Sequence, residues 1–121
     1  PVKILVVDDE PALLAVMEAV FQDSGYTLVH ASSGSEALMA LMNHEFAVLV
    51  LDVNMPDMTG FELAQLIKQR KKTAHVPIIF LTGLRTKEDD LQGVHVGGHP
   101  IFAKPFDSDK LLGMIRRQLK C

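Results

Sequence analysis

The sequence has few of the features that mark secreted, disulfide-bonded or membrane-spanning proteins. Its single cysteine, Cys121, cannot form an internal disulfide, which fits a reducing compartment. No apolar run approaches the ~20 residues that a membrane-spanning helix requires, and no signal-peptide pattern opens the chain. An excess of positive charge is also missing, since the formal net charge is −3, and this disfavours direct binding to nucleic acid. We therefore expect a cytoplasmic domain that contacts neither nucleic acid nor a membrane.

The composition is that of one ordinary globular domain. The chain has 121 residues, of which 48% are hydrophobic and 22% charged, and this length is sufficient for a real core. No internal repeat and no linker divides it, so we predict a single domain over residues 1–121. The chain begins with Pro1 rather than Met and ends at Cys121, just past the last predicted helix. These ends favour a domain excised from a larger protein.

Apolar runs and helical periodicities alternate along the chain. Strands are predicted at residues 3–7, 26–31, 46–51, 76–81 and 101–103. Helices are predicted to open at or near Pro11, Ser33, Phe61, Thr86 and, for the last, Asp107 or Ser108. For the second helix, Ser33 and Glu36 predict a capping box. This alternation predicts an α/β fold, a doubly wound parallel sheet with helices on both faces.

Four of the predicted strands end in charged or reactive side chains. The first ends in Asp8-Asp9, the third in Asp52, the fourth in Thr82 and the fifth in Lys104. The carboxyl ends of parallel strands meet at one edge of such a sheet, which is where these folds bind ligands. Any one of these residues alone would be a solvated strand end or a helix cap. The set of them favours a functional site.

If the first and third strands are neighbours, Asp8, Asp9 and Asp52 crowd together. Their repulsion is costly unless a cation lies among them. No cysteine and no histidine is expected beside these strand ends, so the ligands are hard oxygens and the expected ion is Mg²⁺ or Mn²⁺. Surface or packing roles are expected for the five histidines, which lie at positions 30, 44, 75, 95 and 99.

Four motifs together resemble the receiver domain of two-component response regulators. They are VVDDEP (6–11), LDVNMPDMTGFEL (51–63), PIIFLTG (77–83) and KPF (104–106), and the match runs in register along essentially the whole chain. The resemblance implies a flavodoxin-like fold with five parallel strands in the order 2-1-3-4-5 and five helices. It also implies that Asp52 accepts a phosphoryl group from a phosphohistidine on a sensor histidine kinase or a phosphotransfer domain.

The resemblance assigns a metal site by position in these motifs. Asp9 and Asp52 would bind Mg²⁺ directly, together with the backbone carbonyl of Asn54. Asp8 would act largely through a bound water.

The phosphoryl-binding residues are implied in the same way. Thr82 and Lys104 would hold the phosphoryl oxygens, and the Lys104–Pro105 peptide would be cis, as is typical of receivers. Gly83 leaves room for the donor imidazole or for an attacking water. We therefore expect acceptor competence together with slow self-dephosphorylation.

The chain departs from the receiver pattern at Ile101, where receivers usually have an aromatic residue that rotates inward as Thr82 moves. Phe102 should face the opposite way and belong to the core. We hypothesise that the usual coupling is altered and that the glycine-rich fourth helix is unusually mobile or displaced. The alternative is an ordinary receiver in which Ile101 fills the same space. Amide exchange with and without a phosphoryl mimic would separate the two, and a protected, unchanged fourth helix would refute the hypothesis.

Several functional alternatives stay open at this point. The segment could come from a response regulator, a hybrid histidine kinase or a single-domain regulator. The isolated domain is not expected to be an enzyme, but the parent protein could be a histidine kinase. A haloacid-dehalogenase-like phosphatase would need an acid where Asn54 stands. In a flavodoxin-type carrier, the Asp8-Asp9-Glu10 segment would repel the cofactor phosphate. A partner-binding pseudo-receiver would not need the complete set of acids, Thr82 and Lys104. Expected partners are a kinase, an output domain and a second copy bound through the fourth helix, fifth strand and fifth helix.

Overall fold

The computed structural model describes residues 2–83, 95–96, 99–103 and 107–119. Its strands are β1 (Val2–Val7), β2 (Tyr26–Ala31), β3 (Val48–Asp52), β4 (Ile78–Thr82), β5 (His95–Val96) and β6 (His99–Ala103). Its helices are α1 (Pro11–Phe21), α2 (Gly34–Asn43), α3 (Gly60–Gln69) and α4 (Ser108–Leu119). The predicted fourth helix, which would open at Thr86, lies outside the described residues. None of the described helices is long and apolar enough to cross a membrane.

The sheet has the strand order β2-β1-β3-β4-β6-β5. The first five strands in this order pair in parallel, which confirms the predicted flavodoxin-like topology. Strand β5 was not predicted, and it pairs antiparallel with β6 through His95–Pro100 and Val96–His99. Two residues are too few for a strand periodicity in the sequence, so β5 is defined only by its pairing with β6.

The core has two layers, because alternate residues of each central strand point to opposite faces of the sheet. The layer under α2 and α3 contains Phe80 and Ile101, and the layer under α1 and α4 contains Ile79 and Leu81. Every residue of β3 and β4 is buried, which explains their uninterrupted apolar sequences. Phe102 packs against the α1/α4 layer, which confirms that it faces away from Ile101.

The helix starts follow local capping chemistry. Pro11 is in the first turn of α1, as predicted, and Asp107 caps α4 by accepting hydrogen bonds from the backbone of Asp109 and Lys110. Half of the capping box expected for α2 is present, because Ser33 Oγ accepts from Glu36 N at 3.2 Å. The Glu36 carboxylate accepts from Ser32 N instead of Ser33 N. A complete capping box occurs at α3, where it joins Thr59 and Glu62 and was not predicted.

Candidate functional site

Three carboxylates converge where β1 and β3 end. The two strands are neighbours and Val7 pairs with Leu51, so Asp8 and Asp52 lie side by side at the carboxyl edge of the sheet. One ligand atom from each of Asp8, Asp9 and Asp52 lies within 4.8 Å of the others. Asp8 and Asp52 are 0% and 2% exposed, whereas Asp9 is exposed to solvent. Within the described ranges, this is the only set of three such side chains close enough to share a metal ion.

The donor chemistry of this cluster fits a hard divalent cation. All three side chains offer carboxylate oxygens, and Mg²⁺ or Mn²⁺ prefers oxygen ligands to the nitrogen and sulfur that suit softer metals. Two of the carboxylates are withdrawn from solvent, where like charges repel more strongly than in water. A cation bound among them would therefore offset this repulsion.

Backbone groups next to the cluster hold two of the acids in place. Asp8 Oδ1 accepts a hydrogen bond from Glu10 N at 2.8 Å, just before α1 begins. Asp52 Oδ1 accepts from Asn54 N at 3.2 Å. Both contacts span two residues, which is the geometry of an Asx turn. They leave each carboxylate at the strand edge while fixing its orientation.

His30 lies beside this site, contrary to the expectation that no histidine would do so. Its Nε2 lies 2.9 Å from the backbone carbonyl oxygen of Asp8, and Asp8 N donates to Ala31 O at 3.0 Å. The imidazole therefore contacts the main chain of Asp8 and not its carboxylate. Ligand spacing in the sequence could not reveal this, because the contact arises from the pairing of β1 with β2.

Thr82 ends β4 and is 2% exposed, and Leu81, the residue before it, pairs with Asp52 across the sheet. The same strand ends are joined by a hydrogen bond from Val53 N to Leu81 O at 2.8 Å. The topology therefore brings Thr82 and Asp52 to the same edge. Lys104 and Pro105, the remaining predicted site residues, lie outside the described part of the chain.

The loop between β3 and α3 closes on itself directly behind Asp52. Gly60 N donates to Val53 O at 2.9 Å, and Gly60 packs against the backbone carbonyl of Asp52. A Cβ at position 60 would overlap that carbonyl oxygen, so only glycine fits this approach. Asn54, whose backbone carbonyl was predicted to bind the metal, is exposed within this closed loop.

Ile101 occupies the predicted switch position on β6. It is 8% exposed, pairs with Phe80 and belongs to the α2/α3 core layer. Phe80 contacts Phe61 in an edge-to-face arrangement with ring centroids 4.9 Å apart, and the centroids of the Phe80 and His99 rings are 6.0 Å apart. A buried aliphatic side chain in the same core layer as Phe80 therefore stands where an aromatic residue was expected from the resemblance.

Comparison with known proteins places these features in a family. The protein-family model described as the response regulator receiver domain matches residues 4–116 of this chain. Response regulator Rre1 of Synechocystis sp. is 32% identical over 120 residues, which cover 98% of this chain and 52% of Rre1. The probable transcriptional regulatory protein TcrX of Mycobacterium tuberculosis is 34% identical over 120 residues, covering 99% of this chain and 50% of TcrX. The chain thus spans about half the length of the curated relatives that it matches.

Solved structures show the same fold. Chemotaxis protein CheY4 of Vibrio cholerae superposes with a TM-score of 0.82 at 35% identity, covering 98% of both chains. Response regulator protein TrrA of Thermotoga maritima, solved in complex with Mg(2+)-BeF, gives a TM-score of 0.81 at 30% identity and covers 98% of this chain and 100% of TrrA.

Proposed function

Because the chain belongs to the response regulator receiver domain family of two-component systems, we propose that Asp52 receives a phosphoryl group from a phosphohistidine. The donor would be a sensor histidine kinase or a phosphotransfer domain. The observation that carries the proposal is the convergence of Asp8, Asp9 and Asp52 within 4.8 Å at the edge of the sheet. Asp52 is the one of these acids that ends a strand buried on both faces.

The proposed transfer is a single displacement at phosphorus. The P–N bond of the donor phosphohistidine breaks while a P–O bond forms to an oxygen of Asp52. The imidazole leaves with the electron pair of the broken bond and takes up a proton. Phosphoryl transfer depends more on positioning and charge neutralisation than on covalent assistance. The main task of the site is therefore to hold Asp52 in line and to balance negative charge.

Residues of this chain would perform that task at fixed positions. Asp9, Asp52 and the backbone carbonyl of Asn54 would hold Mg²⁺, and Asp8 would do so through a water. The ion, when bound, supplies positive charge to the phosphoryl oxygens. The buried hydroxyl of Thr82, on the same sheet edge, would donate to one of these oxygens. Lys104 is assigned to another by its place in the KPF motif.

The domain alone is a phosphoryl acceptor and not a turnover enzyme, because the covalent product stays on Asp52 until water removes it. The curated relatives are regulators, several of them named as transcriptional regulators, and they are about twice as long as this chain. This favours a cytoplasmic response regulator with an output domain as the parent, over a hybrid histidine kinase. A homodimer through the predicted fourth helix, β6 and α4 stays a prediction.

Ile101 bears on how phosphorylation would be read out. Since its side chain is packed into the α2/α3 core layer, it cannot rotate between solvent and core as an aromatic ring at a partly open position could. We propose that displacement of Thr82 is transmitted through main-chain and core packing at β6 and not through side-chain rotation at position 101.

Phosphoryl labelling of the Asp52→Asn variant tests the function. With Mg²⁺ and a small-molecule phosphoryl donor, the wild-type protein should gain one phosphoryl group by intact-protein mass spectrometry, and a chelator should prevent this. Asp52→Asn should not be labelled, whereas Asp23→Asn, an exposed acid in the turn after α1, should be labelled like the wild type. Full labelling of Asp52→Asn would refute the assignment.

A further inference from the structure

Asp57 connects the loop behind Asp52 to a different helix. Its Oδ1 accepts a hydrogen bond from Gly34 N at 3.0 Å, and its Oδ2 accepts from Ser35 N at 3.1 Å and from Ser35 Oγ at 3.0 Å. Gly34 and Ser35 form the first turn of α2, where backbone N–H groups have no partner within the helix. One exposed carboxylate thus binds three donors, 22 and 23 residues away in sequence.

This arrangement favours the ionised form of Asp57. Hydrogen bonds from the backbone of Gly34 and then Ser35 hold the pKa of the Asp57 carboxyl below its ordinary value of 3.8. A negative charge at the start of a helix is also stabilised by the helix dipole. The Asp57 carboxyl is therefore ionised at neutral pH, which is the form that accepts these hydrogen bonds.

The loop that carries Asp57 is attached at two other points. Its base is closed by the hydrogen bond from Gly60 N to Val53 O at 2.9 Å. Met58 packs over Gly34, where a Cβ would lie 2.5 Å from the Met58 Cγ. Residues 54–56 therefore lie between two attachment points, the base at Val53 and the contact of Asp57 with α2, and Asn54 is one of them.

We propose that Asp57 is a positioning residue for the metal and phosphoryl site, acting through the loop that it ties to α2. The carboxylate fixes the course of residues 54–56, and with it the Asn54 carbonyl and the N–H that binds Asp52 Oδ1 at 3.2 Å. Asp57 itself is not among the three acids that share the site. This inference rests on the proposed function, since it concerns the geometry of that site.

Capping of α2 alone is the simpler role for Asp57, and the chain offers a matched control for it. Ser33 Oγ caps the same helix by accepting from Glu36 N at 3.2 Å, but Ser33 lies outside the β3–α3 loop. Ser33→Ala should therefore lower the free energy of unfolding by about 1 kcal/mol and leave the site unchanged. A variant that releases the loop should change the site as well.

The experiment is a titration of each variant with Mg²⁺ alone by isothermal calorimetry, with phospholabelling rates measured in parallel. Asp57→Ala should raise the Mg²⁺ dissociation constant about tenfold, the lower end of the range found when groups that orient metal ligands are removed. Asp57→Asn keeps one oxygen acceptor, so a smaller increase is expected. Ser33→Ala should bind Mg²⁺ like the wild type.

Ser35→Pro tests the same connection from the helix side. It removes Ser35 N–H and Oγ, two of the three donors, without changing the charge of the protein, and proline is tolerated in the first turn of a helix. The Mg²⁺ dissociation constant should rise as in Asp57→Ala, and combining the two changes should add little further. Weakened binding in Ser35→Pro would exclude simple loss of a negative charge as the cause.

The outcomes separate the two proposals. If wild-type protein binds Mg²⁺ and is labelled, but Asp57→Ala and Ser35→Pro bind as tightly as Ser33→Ala, Asp57 only caps α2 and the inference fails alone. If wild-type protein neither binds Mg²⁺ nor is labelled on Asp52, the proposed function fails and the inference falls with it.

Discussion

Replacing Gly60 by alanine is expected to destabilise the protein more than the same change at Gly34, Gly83 or Gly113. These are the other described glycines whose backbone φ is compatible with alanine. A Cβ at position 60 would overlap the Asp52 carbonyl oxygen and lie 3.0 Å from Asp52 C and 3.1 Å from Val53 Cα. All three are backbone atoms at the end of a strand that is buried on both faces. Since none of them can rotate away, either α3 or the end of β3 must shift.

The size of the effect follows from these contacts. Inserting a methyl group into well-packed surroundings costs typically 1–3 kcal/mol, and a backbone neighbour argues for about 2–3 kcal/mol. With an unfolding entropy of about 2.1 cal/mol/K per residue, the 121 residues give about 0.25 kcal/mol/K. The Tm of Gly60→Ala should therefore fall by about 8–12 °C.

Two other glycines calibrate the measurement. Nothing lies within 4 Å of a Cβ at Gly113, inside α4, so Gly113→Ala should gain about 0.5–1 kcal/mol from helix propensity. At Gly34 the added Cβ meets only the Met58 side chain, which is flexible enough to move, so Gly34→Ala should lie between the other two.

Far-ultraviolet circular dichroism is the suitable assay, because the chain has no tryptophan and one tyrosine. Thermal and urea unfolding of the three variants should rank Gly113→Ala above wild type, then Gly34→Ala, then Gly60→Ala. A Gly60→Ala protein as stable as the wild type, measured beside a stabilised Gly113→Ala, would refute the claim that position 60 requires glycine.

Three further measurements test other contacts. Lys68 Nζ donates to Ala74 O and Val76 O, both at 2.8 Å, so Lys68→Met should lower the free energy of unfolding in urea by about 1–2 kcal/mol. Lys71 is exposed, so Lys71→Met is the control, and equal stability of the two variants would contradict the prediction. Because the pKa of Asp57 is lower in the folded protein than its ordinary 3.8, its contribution to stability is present above that pH and is lost as the pH falls through the folded value. The stability difference between wild type and Asp57→Asn should therefore shrink below pH 3.8, and a constant difference would argue against the contact. Ile101→Ala should lose about 2–4 kcal/mol because the side chain is in the core, whereas a loss below about 1 kcal/mol would mean that it is not packed there.

The sequence was sufficient for the five parallel strands and for the acids that follow them, because both depend on local signals. Continuous apolar runs identify strands buried on two faces, and each run is followed directly by the side chain that it delivers to the sheet edge. The strand order, which the resemblance to receiver domains implied, then brings Asp8, Asp9 and Asp52 together. The capping box at Thr59 and Glu62 carried the same signature that was recognised at Ser33, and the same rule could have identified it.

Other features depend on tertiary contacts that no local pattern encodes. His30 reaches the Asp8 carbonyl only because β2 pairs with β1, and Asp57 reads in the sequence as an ordinary turn residue. Its partners, Gly34 and Ser35, are found only once the loop after β3 is placed against α2. Strand β5 likewise exists through its pairing with β6 alone.

The burial of β3 has a consequence for where the molecule can respond to chemistry at Asp52. The strand is hydrogen-bonded to β1 on one side and β4 on the other, and all of its residues are buried. Its amide protons should therefore exchange with solvent only through global unfolding, among the slowest in the chain. A phosphoryl group on Asp52, as proposed above, would therefore add charge at the end of a fully buried, centrally paired strand. We expect β3 to keep its position, so that a conformational response to the phosphoryl group would begin in the loops that follow the strands.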